Sequence, residues 1–277
     1  MSFTFVLNFN SLKLKNSYAL ITGATSGIGL EISRELAKLN YSLILVARRE
    51  NKLKEICQEL KYKFNIRAEI YATDLEDPKS PEKLYKFCKE KNYFIELLVN
   101  NAGYALPDSF HKTPLEAEEK FLRVLGIAVV ALTKLFINDM INKKKGKIMM
   151  ISSVAAFTPP STIQVLYGPI KTFINRFSEG LNLSYNSIGI TSTAVCPGYT
   201  VTNFHTASGV QDEMDRVPSF MKKSATRIAK EAVQATLIGK KTCVPTFTYK
   251  LIVFLIKVLP KSLFWIFSKK MAPGRYD

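Results

Sequence analysis

The chain has 277 residues, 47% of them apolar, and a formal net charge of +16. This length and apolar content fit one large globular core and exclude a disordered chain. The four cysteines contain no C-x-x-C pair, which indicates reduced, buried thiols in an intracellular protein. The two histidines have no neighbours at metal-ligand spacing, so no metal site is expected. No nucleic-acid module accompanies the positive charge, so no nucleic-acid partner is expected either.

Residues 1–14 form an apolar, mostly uncharged segment, predicted to be a short arm on the domain. It lacks the basic start, long apolar run and cleavage site of a secretory signal. From residue 15 onwards, apolar strand-like runs alternate with helix-length segments, which predicts an α/β domain with a parallel sheet covered on both faces. The predicted strands are Tyr18–Thr22, Leu43–Ala47, Arg67–Ala72, Leu97–Asn100, Ile148–Ser152 and Ser192–Cys196. The predicted helices are Ile28–Leu39, Asn51–Tyr62, Glu82–Lys91, Pro114–Met140 and Tyr167–Tyr185. The domain is expected to end at residue 239 and to be followed by a C-terminal extension, 240–277.

A glycine-rich turn, Gly23-x-x-x-Gly27-x-Gly29, lies between the first strand and the first helix. Such a turn lets the backbone approach a pyrophosphate, and the helix N-terminus offers free N–H groups to it. A generic glycine turn is the alternative for this motif taken alone. In combination with the motifs further along the chain, the turn predicts a dinucleotide site.

Arg48 and Arg49 end the second strand, where an NAD site would place an acidic residue for the ribose 2′-hydroxyl. Guanidinium groups match the geometry of a phosphate, so the pair favours NADP(H) over NAD(H). The alternative is that both are solvated residues opening a charged helix.

Tyr167 and Lys171 are one helical turn apart, on one face of a predicted helix. Carbonyl reduction needs a proton donor, and a neighbouring lysine favours the tyrosinate form electrostatically. Tyr85 and Lys89 have the same spacing but lie in a charged stretch, where a solvated helix face is the expectation.

These motifs in this order resemble the short-chain dehydrogenase/reductase family over roughly residues 15–239. A broad, mostly bacterial NADP-type branch of the family is resembled by the stretches Ile151–Phe157 and Phe173–Leu181 and by the amphipathic tail. The resemblance implies a Rossmann-type doubly wound sheet, a homodimer or homotetramer, and Ser153, Tyr167 and Lys171 as catalytic residues. The implied cofactor-binding residues are Gly23, Thr25, Ser26, Gly27, Ile28, Gly29, Arg48, Arg49, Asp74, Leu75, Asn101, Ala102, Gly103, Tyr167, Lys171, Pro197, Gly198, Thr200 and Thr202.

Two positions depart from the family pattern. Ser153 and Tyr167 are one residue further apart than usual, which an insertion in the loop Thr158–Leu166 would absorb. The fourth helix usually carries an Asn that holds a water in a proton relay to the lysine, and Leu125 or Arg123 stands there instead. Either another polar group serves the relay, for example the backbone near Gly126, or proton transfer is impaired and the chain is a weakly active or inactive NADPH-binding scaffold.

The tail from Lys250 to Lys270 is apolar and basic, and Pro260 interrupts it, so a membrane-spanning helix is not expected. Two interpretations stay open: peripheral contact with a membrane through residues 250–270, or packing on the domain. The loop Phe204–Lys223 is the expected substrate loop. The chain is thus predicted to be a cytoplasmic NADP(H)-dependent oxidoreductase of apolar carbonyl compounds or secondary alcohols, peripheral at a membrane if the tail binds one.

Overall fold

The computed structural model describes residues 16–106, 108–161, 164–202 and 217–259. The expected arm at residues 1–14, His205, residues 204–216 of the expected substrate loop, and the tail from Pro260 lie outside these ranges.

Seven parallel strands form the main sheet, in the spatial order β3-β2-β1-β4-β5-β6-β9. The order reverses direction between β1 and β4, as in a Rossmann-type doubly wound sheet, so the predicted fold class is confirmed. A separate pair, β7 and β8, is also parallel. The strands are β1 Ser17–Thr22, β2 Ser42–Ala47, β3 Ala68–Ala72, β4 Phe94–Asn100, β5 Gly146–Ile151, β6 Ile190–Val195, β7 Thr200–Val201, β8 Lys223–Ser224 and β9 Thr242–Cys243.

Helices cover both faces of the sheet. They are α1 Gly27–Lys38, α2 Glu50–Phe64, α3 Ser80–Glu90, α4 Leu115–Leu122, α5 Ala128–Lys143, α6 Tyr167–Tyr185, α7 Ala225–Leu237 and α8 Phe247–Val258. The predicted long helix at Pro114–Met140 is present, but a π turn at Arg123–Ile127 separates α4 from α5. Hydrophobic periodicity alone does not reveal this turn, because the buried residues continue through it.

The central strands β1 and β4 are almost wholly buried because helices pack on both faces. Successive residues point to opposite faces, so Leu20 belongs to one hydrophobic cluster and Ile21 to the other. The same alternation separates Leu98 from Val99 on the neighbouring strand. Two apolar layers therefore hold the sheet in register.

The combined helix Leu115–Lys143 is long and apolar enough to cross a membrane by length and composition. Its residues Phe121, Leu132, Phe136 and Met140 are buried in the cluster that covers one face of the sheet. These contacts account for its hydrophobicity through packing.

The segment after the expected boundary at residue 239 joins the main sheet. Strand β9 pairs with β6, so the sheet continues past that boundary. Helix α8 comes next, and its Tyr249 and Val253 are buried. The Tyr249 hydroxyl donates to the Met221 carbonyl and accepts the Tyr199 N–H, at 2.9 Å each. The part of the C-terminal extension that contains β9 and α8 is therefore packed on the domain.

The four cysteines are buried and unpaired, as the sequence predicted.

We expect Tyr249→Phe to lower the free energy of unfolding by about 1–3 kcal/mol, because the change removes one partner each from the buried Met221 carbonyl and the partly buried Tyr199 N–H. Urea denaturation measures the difference. Tyr62→Phe is the matched control, since Tyr62 is 95% exposed. Equal stability of the two variants would contradict the structural role given to Tyr249.

Candidate active site

The turn between β1 and α1 is built from close backbone contacts. Gly23 and Gly27 have φ values of +68° and +55°, a region that favours glycine. A Cβ on Gly23 would lie 2.7 Å from the Asn101 Nδ2, and one on Gly27 would lie 3.2 Å from the Thr202 Cβ. Gly29 is inside α1, where a Cβ would collide with the Gly23 carbonyl oxygen and the Asn101 amide.

Asn101 fixes this turn to the end of β4. Its side-chain amide donates to the Thr22 carbonyl at 2.8 Å, and its backbone N–H donates to the Thr22 hydroxyl at 2.9 Å. The Ala102 N–H donates to the same hydroxyl. The carboxyl ends of β1 and β4, where the strand order reverses, are thereby held together.

A cavity of about 410 Å³ opens at this point of the sheet. Every residue of the predicted catalytic and cofactor-binding sets lines it except Gly29, whose side-chain position is filled by its neighbours. The lining residues from those sets are Gly23, Thr25, Ser26, Gly27, Ile28, Arg48, Arg49, Asp74, Leu75, Asn101, Ala102, Gly103, Ser153, Tyr167, Lys171, Pro197, Gly198, Thr200 and Thr202. The cavity is thus continuous from the glycine turn to the tyrosine and lysine. One end of the cavity is lined by the backbone of the glycine turn and by the guanidinium groups of Arg48 and Arg49. This lining fits an elongated anionic cofactor.

Two arginines and two carboxylates share one end of the cavity. Arg48 Nη1 lies 3.8 Å from both the Asp74 Oδ2 and the Glu76 Oε1. Arg49 Nη2 donates to the Thr25 hydroxyl at 3.0 Å, which brings it against the glycine turn. The Arg48 side chain is mostly exposed, so its ion pairs are weak and its guanidinium group can exchange them for another anion.

The other end of the cavity holds the serine, tyrosine and lysine. Ser153 lies two residues after β5 and begins a short 3₁₀ turn, where its hydroxyl accepts the Ala155 N–H at 3.1 Å. Tyr167 is the first residue of α6, and Lys171 lies one turn later. The Lys171 Nζ is 5.5 Å from the centre of the Tyr167 ring. All three side chains therefore lie at the carboxyl edge of the sheet.

Lys171 is buried, and its Nζ donates to the Ile151 carbonyl at 2.8 Å. Burial lowers the pKa of its ammonium group to about 8, with a small opposing effect from Cys196. At neutral pH the group therefore still carries its proton for most of the time. A positive charge held in a poorly solvated site acts strongly on a neighbouring hydroxyl group.

Leu125 is one of the two residues expected where the family pattern has Asn. It is buried on the cavity wall, and a Cβ on Gly103 would be in ordinary contact with its side chain. The π turn Arg123–Ile127 is centred on it, and the N–H of Ala128 donates to the Arg123 carbonyl, five residues back. The helix backbone is therefore locally opened at the expected position, without the Asn side chain.

The second tyrosine–lysine pair lies elsewhere. The Tyr85 hydroxyl donates to Asp139 Oδ2 at 3.2 Å, and Lys89 Nζ lies 3.0 Å from Asp139 Oδ1. Neither residue lines the cavity. This pair ties α3 to α5, and Tyr85 is partly buried with its ring 5.2 Å from that of Phe136. The expectation of a solvated helix face therefore holds for the exposed Lys89 but not for Tyr85.

Several cavity residues were missed by the sequence reasoning. Glu76 and Tyr104 lie beside Arg48, and burial, together with the charge of Glu76, raises the pKa of Tyr104. Ser152 is buried on the cavity wall, and its hydroxyl donates to the Lys171 carbonyl at 3.0 Å. Glu76 lies two residues after Asp74, so proximity in sequence was an available signal for it. Tyr249 supports the cavity from the C-terminal segment and had no such signal.

Comparison with known proteins supports the membership of this chain in the family that its sequence resembles. The sequence model of the family described as short chain dehydrogenase matches residues 17–213. The very-long-chain 3-oxoacyl-CoA reductase-like protein of Arabidopsis thaliana is 32% identical over 265 residues, covering 94% of this chain and 82% of the relative. The very-long-chain 3-oxoacyl-CoA reductase of Rattus norvegicus is 30% identical over 259 residues, covering 91% and 77%.

A solved short-chain dehydrogenase from Sphingobium yanoikuyae, in complex with NADPH, superposes with a TM-score of 0.77. It is 24% identical, and the match covers 89% of this chain and 96% of that structure, so it supports the fold. With the family match and the two relatives, the chain belongs to the short-chain dehydrogenase family and is a nicotinamide-dependent oxidoreductase of carbonyl and alcohol groups.

Proposed function

We propose that this enzyme uses NADPH to reduce the 3-keto group of long-chain 3-oxoacyl thioesters. The observation that carries the proposal is the single cavity joining the glycine turn to Ser153, Tyr167 and Lys171. The substrate class is supported by the names of the relatives from Arabidopsis thaliana and Rattus norvegicus. It is also supported by the apolar side chains of Val124, Leu125 and Ile151 on the cavity wall.

The residues at the two ends of the cavity fit the parts of NADP(H). The N-terminal turn of α1 would hold the pyrophosphate, and Arg48 and Arg49 would hold the 2′-phosphate. Asp74 and Leu75 would contact the adenine, residues 101–103 the ribose, and Thr200 and Thr202 the carboxamide. When bound, NADPH supplies the hydride that the keto carbon accepts.

Ser153 would donate a hydrogen bond to the keto oxygen and hold it next to Tyr167. The Tyr167 hydroxyl would give its proton to that oxygen as the alcohol forms. The buried positive charge of Lys171 stabilises the tyrosinate that remains, and this effect lowers the barrier to proton transfer. Lys171 would also bind the ribose hydroxyls next to the nicotinamide.

We propose that the enzyme is located in the cytoplasm, in peripheral contact with a membrane. We also propose that it forms a homodimer or homotetramer. A long acyl chain partitions into lipid, so an enzyme acting on it gains access to substrate at a membrane surface.

The first test concerns the proton donor. Purified protein should oxidise NADPH when given a long-chain 3-oxoacyl-CoA, and Tyr167→Phe should lower kcat by about 10²–10⁴-fold, because the hydroxyl supplies the proton. NADPH binding, measured by fluorescence titration, should change little in this variant. Lys171→Ala should impair both turnover and binding.

Tyr85→Phe is the matched control, because it removes a tyrosine hydroxyl from the same motif outside the cavity. It should leave turnover unchanged. If the unmodified protein binds NADPH but reduces no long-chain, short-chain or ring ketone, the scaffold interpretation replaces the reductase.

A second prediction concerns cofactor choice. Arg48→Asp should weaken NADPH binding by about 10- to 100-fold, because a charge-assisted contact to phosphate contributes about 1.5–3 kcal/mol. NADH binding should change much less, which narrows or reverses the preference. Titration of both cofactors measures the ratio of the two Kd values.

Lys63→Asp is the control for net charge, since Lys63 is exposed near the end of α2 and outside the cavity. Equal affinity of the unmodified protein for NADPH and NADH would refute the assignment to NADP(H).

The π turn offers a replacement for the Asn that holds the relay water in the family pattern. We infer that backbone groups opened at Arg123–Ile127 hold the relay water that the Asn side chain would otherwise hold. Leu125 then serves only as part of the apolar wall.

On this inference, Leu125→Asn should change the barrier by less than about 1–2 kcal/mol, where each decade in rate corresponds to about 1.4 kcal/mol. Steady-state kcat measures it, and Leu125→Met, which nearly conserves volume, serves as the packing control. A sharp rise in kcat for the Asn variant alone would mean that the backbone relay is absent.

A further inference from the structure

Helix α8 has two apolar faces. Tyr249 and Val253 are buried and form the inner face, and Tyr249 packs with Val217 and Met221 in a small core cluster. The outer face, which we call the α8 stripe, consists of residues spaced so that they share one side of the helix. Its members and their exposures are Phe247 74%, Leu251 46%, Phe254 60%, Leu255 38% and Val258 57%.

Folding of the domain does not need the α8 stripe, because the inner face already holds the helix. Five large apolar residues on one side of a helix make a continuous exposed patch. Patches of this kind are typical of surfaces that bind a protein or a membrane.

Charge indicates which of these partners fits. Within the described segment 217–259, the acidic residue is Glu231, and eight residues are basic. The basic residues are Lys222, Lys223, Arg227, Lys230, Lys240, Lys241, Lys250 and Lys257. Lys250 and Lys257 lie along one border of the α8 stripe, given their seven-residue spacing. A basic, apolar helix with a polar border matches the surface of an anionic bilayer.

The length of α8 decides how it can meet that bilayer. Twelve residues of helix extend about 18 Å, whereas the hydrocarbon core of a bilayer is about 30 Å thick. The helix is also fixed to the domain through Tyr249. It can therefore lie along the membrane surface but cannot cross it.

The placement of α8 connects this surface with the active site. The Tyr249 ring fills the space that a side chain at Gly198 would need, and Gly198 lines the cavity. The Lys257 Nζ lies 5.1 Å from the centre of the Phe157 ring, just after the turn that begins at Ser153. A surface bound at α8 would thus lie close to the reactive end of the cavity.

We propose that the α8 stripe binds an anionic lipid bilayer, with the helix parallel to the membrane surface. The inference deepens the proposed membrane location, and it can fail while the reductase assignment stands, because binding and turnover are measured separately.

The test is sedimentation of the full-length protein with vesicles of phosphatidylcholine, with and without phosphatidylserine. The unmodified protein should sediment with the vesicles containing phosphatidylserine and much less with phosphatidylcholine alone, and added salt should weaken the binding. The double variant Phe247→Asp/Phe254→Asp should bind at least about tenfold more weakly, because two exposed aromatic anchors are lost.

The matched control is Tyr62→Asp/Leu115→Asp, which adds the same charge and removes two exposed apolar side chains away from α8. It should bind vesicles almost as the unmodified protein does. Both double variants should keep their turnover on a short, soluble 3-oxoacyl substrate, since none of the four residues lines the cavity.

Equal loss of vesicle binding in the two double variants would overturn the proposal, and so would the absence of binding by the unmodified protein. Analytical ultracentrifugation identifies the competing occupant. If Phe247→Asp/Phe254→Asp lowers the oligomeric mass and leaves vesicle binding unchanged, a second copy of the chain covers the α8 stripe instead.

Discussion

The close approach of the β1–α1 turn to the end of β4 is the constraint on which the site depends. Glycine at positions 23 and 29 leaves room for the Asn101 side chain, and Asn101 in turn occupies the backbone acceptors of Thr22 and Gly23. A side chain on either glycine would force the two strand ends apart. Since both the glycine turn and the segment at residues 101–103 line the cavity, its shape depends on this single contact.

The second constraint on the active site is the burial of the charged Lys171 amine at the other end of the cavity. Among the described residues, no carboxylate forms an ion pair with Lys171, and its hydrogen-bond acceptor is the neutral carbonyl of Ile151. A buried charge without a counterion is costly for the folded protein. Because no counterion cancels it, the electric field of the Lys171 ammonium group acts on its neighbour, the Tyr167 ring. Stability and reactivity are therefore opposed at this position, as is common in active sites.

Much of the fold was predictable because strands buried on both faces give unbroken apolar runs, and amphipathic helices separate them. The six predicted strands are present within a few residues of their predicted ends, and α6 contains the stretch Tyr167–Tyr185 that was expected to be helical. The cavity residues were predictable where they come directly after a predicted strand, as with Asn101 and Ser153. Their positions depend on local chain direction, which the sequence pattern specifies.

Other features depend on long-range contacts that leave no local pattern. The π turn at Arg123–Ile127 arises within a continuous helix pattern, and packing of Ile170 against Gly126 accompanies it. Strand β9 is only two residues long, too short for a periodic signal. Tyr249 lies 50 residues from the backbone group it binds, and nothing near it in the sequence indicates that contact.

The position of Tyr249 along the chain also has a consequence for how the protein matures during synthesis. The chain is synthesised from its N-terminus, so most strands of the main sheet leave the ribosome before α8 does. The loop at Gly198 and Tyr199 emerges before the tyrosine that supports it. Until α8 has left the ribosome and docked, this wall of the cavity lacks its support. The nascent chain therefore assembles the glycine turn early and completes the opposite wall only after α8 has been synthesised and has docked.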